Sequence, residues 1–315
     1  MEKHKAMQSL TKTAGAAALA VFLFLPPPAL SEGSSCMEAF NTLRNQYSDS
    51  RVQLTVVGSD PTAVVPYVMM HAGDAGGGFD ILEHLNGEIR GYALKGDSGF
   101  DYNHDRSATG PVSWHPTLVW HKLLSKGRQL RGYTCIFTGR TRLAGHRVSL
   151  LRLVPQDSLR YSFLFAMDDE FKMPVELSVL TPEGAVASRI TVLGMRPLSV
   201  EEARFPLDEK VFENFKIEDE PLRTGARPWT GLTIPKEFDL KGEGQLNVNG
   251  AQTAYQTYSD GIVSFRVYRG PRSNVLYPAL NDGALTVLRK VSGNDEYAVV
   301  GEVPLRLAEY VLSGN

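Results

Sequence analysis

Apolar positions along this chain recur with two different periods, and the change between them predicts its elements. Cys36, Phe40, Leu43 and Tyr47 are spaced by four, three and four residues, the stripe of one amphipathic helix. Ser35 and Glu38 have capping-box spacing, which places the start of that helix at Ser35. The segment "RVQLTVV" (51–57) then alternates, with Val52, Leu54 and Val56 on one face and Gln53 and Thr55 on the other, as a strand does. "VVPYVMMH" is a second extended segment. The following "GDAGGG" lacks the Gly-Lys-Ser/Thr ending of a phosphate-binding loop and reads as a connection. "GEIRGYALKGDSGFDYN" reads as two strands around a turn. Ile89, Gly91 and Ala93 share a face of the first arm, Tyr92 and Leu94 lie opposite, and Phe100 and Tyr102 continue the second arm.

The strongest pattern lies between 139 and 195. "HRVSLLRLVP", "LRYSFLFAM", "VELSVL" and "VASRITVLGM" are separated by "QDS", "DDEFKMP" and "TPEG", an antiparallel meander of at least four strands. Tyr161, Phe163, Phe165 and Met167 share one face of the second strand. Leu164 and Ala166 make the other face partly apolar too, so both faces need a cover. Beyond it, 201–230 is charged and broken by prolines, the composition of a linker with room for one short helix. "TAYQTYSDGIVSFRVY" is then a hairpin with Asp260-Gly261 as its two-residue turn. "GALTVLRKV" and "EYAVVGEV" are two more strands. Pro304 fits the first position of a final helix, with Leu305, Ala308 and Leu312 as its buried stripe. The fold class is α+β.

Composition adds a destination. The first 31 residues join Lys3, Lys5 and Lys12 to an apolar run from Ala14 to Leu25 and a small-x-small site at Ala29-Leu30-Ser31, the signature of a signal peptide. No later run is apolar enough to span a bilayer. The expectation is an exported, soluble chain beginning near Glu32. The net charge of −2 becomes about −4 without the leader, which argues against nucleic acid or an anionic membrane surface as partner. Cys36 and Cys135 are the only cysteines. An oxidising compartment favours one disulfide between them. Two unpaired buried thiols, or lipid attachment at Cys36, are the alternatives.

Candidate chemistry is sparse. Gly96-Asp97-Ser98-Gly99 is the string that surrounds the nucleophile of chymotrypsin-like proteases. That chemistry needs a histidine, an aspartate and an oxyanion hole converging on the serine. In that family both partners precede the serine. Here, beyond the expected leader, only His71 and His84 do so, without the family's small-residue and cysteine context, and Phe100 stands where a further glycine belongs. All four residues are turn formers, and a hairpin tip accounts for them. His71, His84, His104, His115, His121 and His146 show no zinc spacing, so neither metal nor cofactor is expected. "SWHPTLVWH" sets His115 and His121 beside Trp114 and Trp120, an aromatic cluster expected at a sheet rim. Asp168, Asp169 and Glu170 are expected in a solvated turn.

Several segments together resemble the RseB/MucB family of periplasmic regulators of the envelope-stress sigma factor sigma-E. They are "ILEHLNGEIRGYALKGDSGFDY", "GRTRLAGHRV", the "PQDSLRYSFLFAMDDEFKMPVELSVLTPEG" meander, "YSDGIVSFRVY" and "VGEVPLRLAEYVL". The resemblance covers roughly 36–315 and is patchy over 58–78 and 196–230. It implies a LolA-like curved antiparallel half-barrel over 32–200, a linker over 201–230 and a smaller C-terminal α/β domain over 231–315. It further implies a periplasmic, non-enzymatic protein that binds the periplasmic region of an RseA/MucA-type anti-sigma factor. That region would be shielded from proteolysis until lipopolysaccharide or a mislocalised lipoprotein releases it. A homodimer is left open, and a periplasmic lipid or lipoprotein carrier of the LolA type is the alternative function. On this reading Tyr161, Phe163, Phe165 and Met167 line the lipid-binding face, unless they are plain core. Tyr258, Asp260 and Arg266 are expected at the partner contact, with Tyr258 and Arg266 exposed.

Overall fold

The structure, a computed structural model, describes residues 32–61, 63–73, 78–96, 98–111, 116–204, 210–214, 222, 225–248, 250–273 and 279–314. The expected leader lies outside them. Helix α1 spans Glu32–Ser48 and buries the predicted stripe of Cys36, Phe40, Leu43 and Tyr47. It starts before the capping box: the backbone of 32–34 is already helical, so Ser35 lies inside the first turn and is not its cap.

A large curved antiparallel sheet follows. Its first half is β1 (Arg51–Ser59), β2 (Val64–Ala72), β3 (Phe79–His84), β4 (Gly91–Lys95), β5 (Ser98–Tyr102) and β6 (Ala108–Pro111). After helix α2 (Pro116–Leu124) come β7 (Tyr133–Leu143), β8 (His146–Pro155), β9 (Ser162–Asp168), β10 (Pro174–Leu180) and β11 (Val186–Pro197). The order β6-β5-β4-β3-β2-β1-β11-β10-β9-β8-β7 makes two sequence-local meanders that meet only where β1 pairs with β11. In β1 the predicted alternation holds, with Val52, Leu54 and Val56 buried. One face of the sheet is covered by helices and the other only over β2–β5. Helices α1 and α2 lie on one face. On the other, Phe212 of α3 (Val211–Asn214) packs 5.1 Å from Phe100, within a cluster that includes Ala72, Ile81 and Ala203.

Three expectations change. "PTLVWH" is helical rather than a sheet rim: α2 buries Trp120 and Leu123 against α1 and the sheet, while Trp114 and His115 lie outside the described residues. Strands β3 and β6 carry no clear alternation and escape the sequence pattern. Asp168 is not solvated. It is buried, accepts a hydrogen bond from the Nδ1 of His146 at 2.6 Å, and holds the backbone N–H groups of Glu170 and Phe171.

The second sheet contains β12 (Asp239–Val248), β13 (Ala251–Ser259), β14 (Ser264–Pro271), β15 (Ala279–Asp282), β16 (Leu285–Ser292) and β17 (Asp295–Gly301), in the order β12-β13-β14-β17-β16-β15. Every pair is antiparallel, so this unit is α+β like the first. The β13–β14 loop has four residues rather than two, because Ser259 pairs with Ser264, and Gly261 takes a φ of 97° within it. Helix α4 (Leu305–Val311) follows Pro304 and buries Leu307, Ala308 and Val311, with Leu312 just beyond. Its buried stripe is thus rotated off Leu305.

Candidate functional site

The face of β9 singled out by its aromatic residues is the centre of the larger core. Tyr161, Phe163, Phe165 and Met167 are all buried. Phe165 meets Phe40 of α1 with ring centroids 5.2 Å apart, and Phe163 meets Tyr133 of β7 at 5.7 Å. In this conformation the face is filled by the chain's own side chains. Cys36 at the start of the α1 stripe is disulfide-bonded to Cys135 in β7, with Cα atoms 5.5 Å apart. The cover helix is therefore tied covalently to the strand at the sheet's edge.

Tyr161 also marks where the two sheets meet. Its hydroxyl donates to the carbonyl of Ala284 at 2.9 Å, across the joint. Arg160, 1% exposed, is the hub beside it. Nη1 donates to Asp260 of the β13–β14 loop at 2.9 Å and to the carbonyl of Arg131 at 2.9 Å. Nη2 reaches the carbonyl of Gly132 at 3.1 Å, and Nε donates to Asp157 at 2.6 Å. The guanidinium also lies over the Tyr133 ring, 4.4 Å from its centroid. Every face of a buried cation is thus supplied with an acceptor, the condition under which burying it is tolerable. Arg131 adds a more exposed ion pair to Asp239.

This geometry corrects the expected partner contacts. Tyr258 is fully buried, stacks on Phe265 with centroids 5.3 Å apart and donates its hydroxyl to Gln256 at 2.6 Å. Asp260 is buried too: one oxygen accepts from Arg160 and the other from the N–H groups of Ile262 and Val263. Both belong to the joint because the inner face of the second sheet docks on the first domain. Arg266 points to the opposite face. It donates to Thr257 at 3.2 Å and lies over the Tyr255 ring at 5.0 Å. That outer face is half-buried and includes a shallow depression of about 540 Å³ lined by Tyr268, Val287, Ala298 and Val300. Arg160 was not singled out from sequence; its spacing from Asp157, three residues back, is the only local signal.

The Gly-Asp-Ser-Gly string has a histidine–aspartate pair beside it after all, the histidine from downstream and the aspartate from upstream. Asp80 is buried and accepts hydrogen bonds from the Tyr47 hydroxyl at 2.8 Å, from His71 Nδ1 at 2.7 Å and from His121 Nδ1. The attraction of the two histidines and their hydrogen bonds hold Asp80 well below the usual carboxylate range, against burial, which alone pushes it up. The other ring nitrogen of His121 lies 3.1 Å from the carbonyl of Gly96. A carbonyl only accepts, so this nitrogen donates and has no lone pair to take a proton from Ser98. The pair anchors the β4–β5 turn between α1 and α2. Asp97 lies outside the described residues.

Fold and site together define an α+β protein of two antiparallel sheets, closed on each other by a buried polar joint. The family model for the MucB/RseB N-terminal domain matches residues 35–207, and that for the MucB/RseB C-terminal domain matches 223–314. The chain belongs to the MucB/RseB family. The sigma-E factor regulatory protein RseB of Escherichia coli K12 is 26% identical over 197 residues, covering 57% of this chain and 58% of that protein. The sigma factor AlgU regulatory protein MucB of Pseudomonas aeruginosa is 25% identical over 191 residues, covering 57% and 59%. The chain thus spans less than two thirds of the length of these relatives. The Pseudomonas aeruginosa MucA/MucB complex is similar in fold, with a TM-score of 0.63 at 19% identity over 88% of this chain and 97% of that one. Among the described residues no helix is long and apolar enough to cross a membrane.

Proposed function

We propose that this protein is a periplasmic negative regulator of a sigma-E-type envelope stress response. It binds the periplasmic region of an RseA/MucA-type anti-sigma factor and shields it from proteolysis. The observation that carries this reading is the match of both family domains, over residues 35–207 and 223–314. A similar fold in a complex of MucB with the periplasmic part of MucA supports it. The domain scheme is 32–200 for ligand sensing, 201–230 as linker and 231–315 for the partner.

The partner face is the outer side of the second sheet around Tyr255, Arg266 and Tyr268. It is a half-buried surface that combines aromatic and cationic side chains, and tyrosine and arginine commonly dominate interfaces. A lipopolysaccharide or lipoprotein acyl chain acts at Tyr161, Phe163, Phe165 and Met167. It must displace side chains such as Phe40 and Tyr133 to reach them. No catalytic step is assigned, since the His121 imidazole beside the β4–β5 turn is engaged by the Gly96 carbonyl. Deleting the gene is expected to raise a sigma-E-type reporter. Unchanged activity, with and without envelope stress, refutes the regulatory role. Arg266→Ala is expected to weaken binding of the anti-sigma periplasmic fragment at least tenfold, with a stability loss of no more than about 1 kcal/mol.

A further inference from the structure

Glu302 lies in the turn between β17 and α4, on the second sheet's side of the joint. Its side chain is buried, and Oε2 has no hydrogen-bond partner among the described residues. The titratable groups facing it come from the first domain. Lys122 of α2, itself buried, acts on it through space without bonding to Oε2, and the Tyr161 hydroxyl is already committed to Ala284. On its own side Thr286 Oγ1 is likewise buried, beside the Tyr161 hydroxyl. A carboxylate held away from water with an oxygen unpaired is far costlier than the neutral acid. We propose that Glu302 is a proton-operated latch of the domain joint. As the neutral acid it lets the second sheet close over Tyr161; as the carboxylate it favours an open joint that exposes Tyr161 at the start of β9.

Burial pushes the Glu302 carboxyl up to about 7, with Lys122 opposing. In an open joint it returns to the ordinary value near 4.5. The closed-state value is the raised one, so the favourable contribution is complete below the open-state value and is lost as pH rises through about 7. Between pH 5.5 and 8 the opening equilibrium then grows roughly 25-fold. The latch does not depend on which partner or ligand the protein has.

The test is hydrogen–deuterium exchange of the full chain, followed over segments 159–167 and 284–289 and corrected for the intrinsic pH dependence of exchange. Wild-type protection is expected to fall about 25-fold from pH 5.5 to 8. Glu302→Gln, which cannot ionise, is expected to show no such fall. A flat wild-type profile, or an equal slope in the glutamine variant, overturns the latch. The Glu302 13Cδ shift of the wild type tests it without substitution. A midpoint near 7 that coincides with the loss of protection supports the latch, and a midpoint in the ordinary carboxylate range overturns it.

Discussion

Removing the carboxylate of Asp260 separates a joint residue from a partner-contact residue. Asp260→Ala deletes three acceptor contacts at once: two 2.9 Å bonds from the Ile262 and Val263 N–H groups and the 2.9 Å bond from Arg160 Nη1. Arg160 keeps Asp157 and two carbonyls, so it is not orphaned, yet its most buried counter-charge is gone. Breaking a buried pair from one side typically costs about 3–5 kcal/mol, and this site falls in that range because the loop's own N–H groups lose their partner as well. At about 2–4 °C per kcal/mol for a chain of this size, the melting temperature should fall by roughly 10 °C. Urea unfolding at neutral pH measures the loss, and hydrogen exchange locates it at the joint. A double-mutant cycle with Arg160→Met should return a coupling of about 2–3 kcal/mol. A stability loss below about 1 kcal/mol, accompanied by a large drop in affinity for the anti-sigma fragment, would refute the reasoning.

Three further outcomes follow from the core. Phe163→Ala should destabilise by about 3–5 kcal/mol in denaturant unfolding, because its ring is fully buried against Tyr133; a loss under about 1 kcal/mol, with acyl-probe binding abolished, would mark a pocket wall instead. Replacing Cys36 and Cys135 by serine together opens a loop whose ends are 99 residues apart. The chain-entropy model gives about 4.7 kcal/mol as an upper figure, read as a lower denaturant midpoint. Asp80 has its carboxyl pKa depressed in the folded state, so its stabilisation is present above the unfolded value of about 3.9 and is lost as pH falls below it. Asp80→Asn should therefore flatten the acid limb of the stability profile, and an unaltered limb counts against the His71–Asp80–His121 arrangement.

Legibility from sequence followed the locality of the physics. The α1 stripe and the β8–β11 meander were readable because a single element's face sets the period: Phe40 and Leu43 share a helix side, and Phe163 and Phe165 a strand side. Helix α2 was hidden by its shortness and by apolar residues on more than one side, so its period cannot be told from a buried strand's. Tyr258 and Arg266 failed differently. Alternation along β13 and β14 assigns them to opposite faces, as observed, but not which face another domain will cover. Arg160 is the extreme case. A lone arginine before an aromatic strand looks like a surface charge until four separate acceptors, two of them from the 131–132 backbone, are folded around it.

The strand order has a kinetic consequence. Each half of the large sheet is a local meander, whose pairings close short loops and form early. The junction is different: Val56 meets Val192, so this single seam carries the cost of closing a long stretch of chain. The Cys36–Cys135 bond joins the element just before β1 to the first strand of the second meander. Once oxidised, it shortens the effective loop that the seam must close. Oxidative refolding should then be fast and reduced refolding slow, with the reduced chain dwelling as two half-sheets whose open edges at β1 and β11 invite pairing with other molecules.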